Sequence, residues 1–311
     1  MRRFKVLNLK PDINALKQEG FSSVDMHFHS KYSDGTGSVQ NIVKKAKKLG
    51  VGICITDHNE ITGSFNLSKH KDVLSIPGIE ITSKEGAHML AYFSKISELI
   101  GFYSNHIEDK KIRNSNFVDI GVLDMIEKAK ENNACVITPH PYGPSFTGIM
   151  NHVKNKSMDM SLFDKVHGVE AINGGDLKMN NRKATILALN LGKAITAGTD
   201  GHYLYELGKV VTYADAHTTE DFLEALHNKE NFVIGKELGI IKKATSQGMK
   251  IPRQINKTPQ MMRQHLRFGK HVIENKRNSV RDKFSEQKNI VKNSIGRSIS
   301  RIMNGKRNKK D

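Results

Sequence analysis

An α/β body built on a parallel sheet, open or closed into a barrel, is the fold class predicted by three features of this sequence. From residue 20 onward, short apolar runs alternate with stretches of helical periodicity. Several of those runs are apolar on both faces, as parallel strands covered by helices require. Histidines and carboxylates recur where the runs end, and in parallel α/β folds the carboxyl ends of strands converge on one rim.

Taken in order, the strands are expected at "SSVDMH", "VGICITDH", "VLSIPGIEIT", "AHMLAYF", "ACVITPH", "GVEAIN" and "AITAGTDGH". Between them, "SVQNIVKKAKKLG", "VLDMIEKAKENN" and "RKATILALNLG" have apolar residues at helical spacing, and the first and last end in glycine. In the first strand, His27 and His29 stand at i and i+2, so both imidazoles leave the same face. The later ends bring Asp57 and His58, Glu80, His140, and Asp200 with His202, while His88 opens its own segment. Gly174 and Gly175 read as a turn after a strand and lack the fixed pattern of a phosphate-cradling loop. No internal repeat is present.

The 311 residues, 37% hydrophobic and without tryptophan, suffice for one large α/β domain and an extension. The start, "MRRFKVLNLKPDINALKQEGF", has no apolar signal core, and no run approaches the ~20 apolar residues that span a bilayer. A cytoplasmic protein with no transmembrane segment is the expectation. Cys54 and Cys135 lie in apolar runs and are expected to be core thiols, neither bridged nor metal-bound. Charge is uneven. Residues 1–235 hold 28 lysines and arginines against 27 acidic residues, whereas 236–311 hold 21 against 5. A nearly neutral body at 20–235 is thus followed by a basic tail at 236–311, a pattern that suits a polyanion or an anionic surface.

Each ligand-type residue taken singly has a plain structural explanation: a helix cap, a solvated strand end, a turn filler. Their repetition at the ends of apolar runs is harder to explain that way, because a buried carboxylate or imidazole costs several kcal/mol unless paired or bound to a metal. One polynuclear metal centre is the simplest common cause.

The ordered motifs "DMHFHSKYSDGTG", "ITDHN", "GIEIT" with "AHMLAYF", "ITPHPYG", "VEAINGG" and "AGTDGH" resemble those of the PHP (polymerase and histidinol phosphatase) family of metal-dependent phosphoesterases. The resemblance covers roughly residues 22–235. It implies a distorted seven-stranded β/α barrel holding two or three divalent metals. By the same resemblance, His27, His29, Glu80 and Asp200 would hold the first metal. Glu80 would bridge to a second, held also by His88 and His140, and Asp34, His58 and His202 would take the third. Glu80, Asp200 and His202 are the residues expected to be catalytic. Asp25 and Asp57 are expected to orient the neighbouring imidazoles.

The chemistry of the set can be argued from its charges. Three carboxylates against three divalent ions leave a net cation, which suits a phosphate ester better than a neutral amide. A hydroxide shared between two metals would attack, with the metals clamping the attacking and leaving oxygens, so no side chain need act as covalent nucleophile. Mixed imidazole and carboxylate ligation suits Zn, Mn or Fe rather than Mg or Ca. Arg182 and Lys183 are candidate phosphate clamps, although two charges on a helix face are commonly solvated. Family members that act on nucleotides or short RNA carry a helical cap between the positions of His88 and His140. Here that interval holds 51 residues. That is enough for a loop and a helix or two, but not for that cap.

In the tail, Met262, Leu266, Ile273, Val280, Phe284, Val291, Ile295 and Ile302 follow helical spacing and predict a helix interrupted at Gly269 and Gly296. Its basic faces could contact RNA or DNA phosphates or anionic lipid, and its apolar stripe could pack on the domain or a partner helix. The leading expectation is a phosphatase or exonuclease acting on a phosphorylated small molecule, a nucleotide or a nucleic acid end. Two alternatives are an amidohydrolase-type barrel hydrolase, which the additional trio Asp34, His58 and His202 disfavours, and a nucleic-acid-binding protein that uses the barrel as scaffold.

Overall fold

The computed structural model describes residues 5–113 and 116–237. The expected tail helix, including its apolar stripe, lies outside the described residues. The strands are β1 (Val6–Leu7), β2 (Ser22–Phe28), β3 (Gly52–Ile55), β4 (Gly78–Thr82), β5 (His88–Tyr92), β6 (Cys135–Thr138), β7 (Gly168–Asn173), β8 (Ala194–Gly198), β9 (Val210–Ala214) and β10 (Phe232–Gly235). The helices are α1 (Ile13–Gln18), α2 (Val39–Leu49), α3 (Thr62–Leu67), α4 (Ile96–His106), α5 (Val122–Glu131), α6 (Ile149–Lys154), α7 (Leu162–Lys165), α8 (Lys178–Asn190) and α9 (Thr219–His227).

Local chemistry explains several of these. Helix α2 begins where the Ser38 side chain accepts from Asn41 N–H, and it buries Val39, Ile42, Val43 and Ala46 at helical spacing. It ends at Gly50, whose φ of +67° is the left-handed turn that glycine adopts without penalty. A Thr218–Asp221 capping box starts α9. Strands β4, β7 and β8 are buried along their whole length, as the doubly apolar runs require.

The strands form two five-stranded sheets, ordered β1-β10-β9-β2-β3 and β4-β5-β6-β7-β8. Both sheets are mixed, which corrects the expectation of a parallel one. Strand β5 runs antiparallel to β4 and β6, and β9 runs antiparallel to β2 and β10. The cause is legible between β4 and β5, where the short Ser83–Ala87 link cannot make a parallel crossover. Among the described residues the ladders do not close into a ring of seven strands. The sheets meet instead at isolated bridges, His58–Glu80 and Phe28–Gly201 near strand carboxyl ends and Ile53–Ser75 ahead of β4. Strand β1 pairs with β10, so residues before position 20 also join the first sheet.

Three apolar clusters support this arrangement. The largest packs the second sheet against α4, α5 and α8, through Phe93, Phe102, Met125, Ile126, Val169 and Ala188 among others. Another packs the first sheet against α2. A third joins residues of both sheets, including Met26, Cys54, Leu90, Tyr92 and Ile137. There the Tyr92 hydroxyl donates to Met26 O at 2.9 Å. No helix among the described residues is long and apolar enough to cross a membrane.

Candidate metal centre

All nine expected ligand positions come together where the two sheets meet. Strand β2 carries His27 and delivers His29 just past its end, with their Nε2 atoms 3.2 Å apart. Glu80, from the middle of β4, is the hub. Its Oε1 lies 2.8 Å from His88 Nδ1 and 3.1 Å from His140 Nε2. Its Oε2 lies 3.4 Å from Nε2 of both His27 and His29, and 3.1 Å from His58 Nδ1. Asp200 Oδ1 is 3.1 Å from His29 Nε2 and 3.6 Å from His27 Nε2. Asp34 Oδ2 is 2.9 Å from His202 Nε2 and 3.9 Å from His58 Nε2.

The antiparallel course of β5 explains His88. Because Thr82 pairs with His88, the start of β5 lies at the carboxyl end of β4. A residue opening its segment therefore joins residues that close theirs. Close approach also depends on Gly198 in β8, where an added Cβ would sit 2.4 Å from the His27 backbone nitrogen.

Three groups have geometry suited to an ion: His27 with His29 and Asp200, His29 with Asp34 and His58, and His58 with Glu80 and His88. Within each group the ligand atoms lie within 4.8 Å of one another. His140 and His202 adjoin these groups through Glu80 and Asp34. A cation fits this donor set on one further observation. Glu80 Oε2, His29 Nδ1, His58 Nδ1 and His140 Nδ1 are buried without a hydrogen-bond partner. The 3.1 Å approach of Glu80 Oε2 to His58 Nδ1 lacks hydrogen-bonding geometry, so proximity there does not satisfy either atom. Leaving such groups unsatisfied costs on the order of 1–3 kcal/mol each. His140 and Asp200 also hold φ values of +26° and +49°, which non-glycine residues rarely adopt and which cluster at functional sites.

The electrostatics follow from burial against mutual charge. Burial opposes charging His27, but Glu170, Asp200 and Glu80 outweigh it and hold its pKa well above the usual histidine range. His29 is likewise raised against burial by Asp200, Asp34 and Glu80, and His140 is raised to about 9 by its bond to Glu80. For His58, burial wins and pulls the pKa to about 3. Burial would raise Asp34, Glu80 and Asp200, yet the surrounding imidazoles hold all three well below the carboxylate range.

Two expected orienting residues do something else. Asp25 accepts from Thr199 N and Oγ1 and from Gly208 N, at 2.9, 2.7 and 3.0 Å, so it anchors the loop that carries Asp200 and His202. Asp57 accepts from Ser30 N and Oγ and from Ser33 Oγ, shaping the loop before Asp34. The carboxylate that reaches an imidazole is Glu170 in β7, 3.0 Å from His27 Nδ1. Its sequence signals are an acid inside the apolar run "GVEAIN" and its place in the motif "VEAINGG". Arg182 and Lys183 are exposed, and Lys183 lies over the Tyr142 ring. Gly174 and Gly175 form the expected turn. A cleft of about 180 Å³ opens beside Asp34 and His58, walled by Tyr32, Glu60, Lys111 and Phe117. The His88–His140 interval contributes α4 and α5.

The PHP domain matches residues 25–257 of the chain. Over 159 residues the chain is 30% identical to the uncharacterised protein MJ1587 of Methanocaldococcus jannaschii, spanning 46% of this chain and 82% of that protein. Among solved structures, a two-domain protein of Bacteroides vulgatus containing a predicted PHP-like metal-dependent phosphoesterase is similar at a TM-score of 0.52 and 20% identity, covering 76% of this chain and 70% of that one. Endonuclease Q, in complex with a 27-mer duplex substrate with an abasic lesion at the active site, is similar at a TM-score of 0.55 and 19% identity, covering 70% of this chain and 60% of that one. At these identities the structural likeness is one of fold.

Proposed function

This chain belongs to the PHP domain family, and from that premise we propose that it is a metal-dependent phosphoesterase hydrolysing a nucleotide, a nucleic acid end or a phosphorylated metabolite. The observation that carries the reading is the convergence of six imidazoles and three carboxylates around Glu80, with four buried ligand-type atoms left unpartnered. Bound at these residues, two or three Zn, Mn or Fe ions would supply Lewis-acid polarisation and charge neutralisation for an in-line displacement at phosphorus.

The chain's own residues have distinct tasks in this reading. Glu80 presents one oxygen to His88 and His140 and the other to His27, His29 and His58, which makes it the natural bridge. Asp34 and Asp200 add the remaining negative charge. His202 faces the Asp200 carbonyl oxygen with Nδ1 at 2.8 Å, so that nitrogen keeps a proton, and Nε2, 2.9 Å from Asp34 Oδ2, is the nitrogen that would serve an ion there. The cleft beside Asp34 and His58 would receive the organic group of a small ester.

The deciding test is a screen of phosphomonoesters, phosphodiesters and short oligonucleotides with Zn, Mn or Fe supplied. Turnover that chelation abolishes is expected. Metal-loaded protein that turns over none of them contradicts the reading.

A nucleic acid substrate is favoured by one further observation, the 21 basic against 5 acidic residues of positions 236–311. In this version residues 20–235 are the catalytic body and the tail holds RNA or DNA. Truncation after Gly235 should abolish oligonucleotide binding and spare turnover of a small ester. The affinity of the full chain should fall with salt, at a log–log slope near −0.7 to −0.9 for roughly each phosphate neutralised. Equal binding by truncated and full chains at every salt concentration removes this version.

A further inference from the structure

We propose that Glu170 is a positioning residue that couples the two sides of the metal centre, fixing the His27 imidazole and the His140 backbone through one buried carboxylate. The inference rests on the metal-centre reading and adds to it a residue outside the nine ligand positions. Glu170 sits in β7 and is 1% exposed. Two N–H donors and one imidazole nitrogen converge on it. Its Oε1 faces His27 Nδ1 at 3.0 Å, and its Oε2 accepts from His140 N–H at 2.8 Å and from Asn173 Nδ2 at 2.9 Å. A proton on Oε2 would turn a donor toward the His140 and Asn173 donors, so Oε2 acts as an acceptor alone.

For His27 the consequence is a fixed tautomer. With Glu170 Oε1 accepting at Nδ1, that nitrogen keeps a proton, and Nε2, which faces Glu80 and Asp200, is the nitrogen left to give its lone pair to a bound ion. For His140 the consequence is a held backbone. Its φ of +26° is unfavourable for a residue with a side chain, and the bond from its N–H to Glu170 holds the conformation that keeps Nε2 3.1 Å from Glu80 Oε1. Asn173 extends the link, because its Nδ2 also lies 3.4 Å from Asp200 Oδ2. Strand β7 supplies none of the nine ligands, yet through Glu170 and Asn173 it touches His27, His140 and Asp200, which arrive from three other segments.

The variant Glu170→Gln keeps the size and can accept from His27 or from His140. Its amide NH2 must then face another donor at the second position. Metal-free wild type and E170Q are titrated with Co(II), following both the visible absorption of the bound ion and the affinity, and thermal melting of both metal-free proteins is recorded. The expected result is a loss of about 10–100-fold in Co(II) affinity with an altered absorption band, while metal-free melting stays close to wild type. Wild-type affinity and an unchanged band in E170Q overturn the inference and leave the metal-centre reading standing. Failure of the wild type itself to take up Co(II) overturns both. Should E170Q not fold, nitrogen NMR of His27 in the wild type decides. Protonated Nδ1 with metal-bound Nε2 supports the role, and the opposite tautomer overturns it.

Discussion

His27, His29 and His140, buried at the site, and His167, part-buried at the amino end of β7, are shifted in opposite directions, while His58 at the site is lowered as His167 is. At the carboxyl ends of the strands, His27, His29 and His140 are raised because Glu80, Asp200 and Glu170 overcome the cost of charging a buried ring. At the amino ends, His167 precedes β7 and accepts from Val136 N–H through Nδ1 at 2.9 Å. Its pKa is pulled to about 4 by burial, with Lys130, His227 and Lys193 adding repulsion. The difference teaches that carboxylates define the site. Imidazoles gathered without them would be neutral packing groups, as His167 is.

The largest expected effect comes from breaking that difference at its hub. Glu80→Ala should reduce hydrolysis to background and empty the site of metal, because the carboxylate shared by five imidazoles is gone. It should also destabilise the metal-free fold, by about 3–5 kcal/mol if the imidazoles left behind stay charged. Assay, metal content and urea unfolding of one preparation measure all three. Full activity would show that the bridge is assigned to the wrong residue.

Stripping the metal sharpens the comparison at intermediate size. At a free metal concentration of about 100 times Kd, binding to the folded state alone stabilises it by ~2.7 kcal/mol. Chelation should therefore lower the melting temperature of the wild type and leave that of an Asp200→Ala, Glu80→Ala double variant unmoved. An equal shift in both proteins would place the ion elsewhere.

The smallest effect is the pH dependence at His167. His167 titrates near 4 folded and near 6.5 unfolded, so the unfolded chain binds more protons between these values. Its contribution to stability is therefore flat above about 6.5 and declines as pH falls toward 4. The raised site histidines act with the opposite sign in metal-stripped protein. Their stabilisation is present below the unfolded value and is lost as pH rises through the folded one, about 9 for His140. His167→Asn keeps an acceptor for Val136 N–H and removes the titration. Urea unfolding at pH 7.5 and pH 5, approximate working values chosen to bracket that window, should show a smaller loss of stability in the variant. An equal loss in both proteins would assign the pH dependence to other groups.

The site was more legible in the sequence than the frame that holds it. Ligand-type residues at the ends of apolar runs stand out because burial there is costly without a partner, and all nine positions converge. The frame was hidden by strand direction, which apolar periodicity does not encode. Antiparallel β5 is betrayed only by the shortness of the Ser83–Ala87 link. Strand β1 is two residues long, too short for any periodicity to register. Asp25 and Asp57 accept from backbone N–H and hydroxyl donors around the ligand loops, and that choice of partner is not encoded by sequence adjacency to a histidine. Glu170 escaped for the converse reason, since its imidazole partner lies 143 residues away.

Metal content tests the central claim most directly. Protein stripped by chelation, reloaded separately with Zn, Mn and Fe and freed of excess should hold two or three ions per chain by elemental analysis, in keeping with the three donor groups around Glu80. A Glu80→Ala, Asp200→Ala double variant treated in parallel should hold none. No retained ion in the wild type with any of the three metals, or equal content in both proteins, would contradict the assignment of these nine residues to a metal centre.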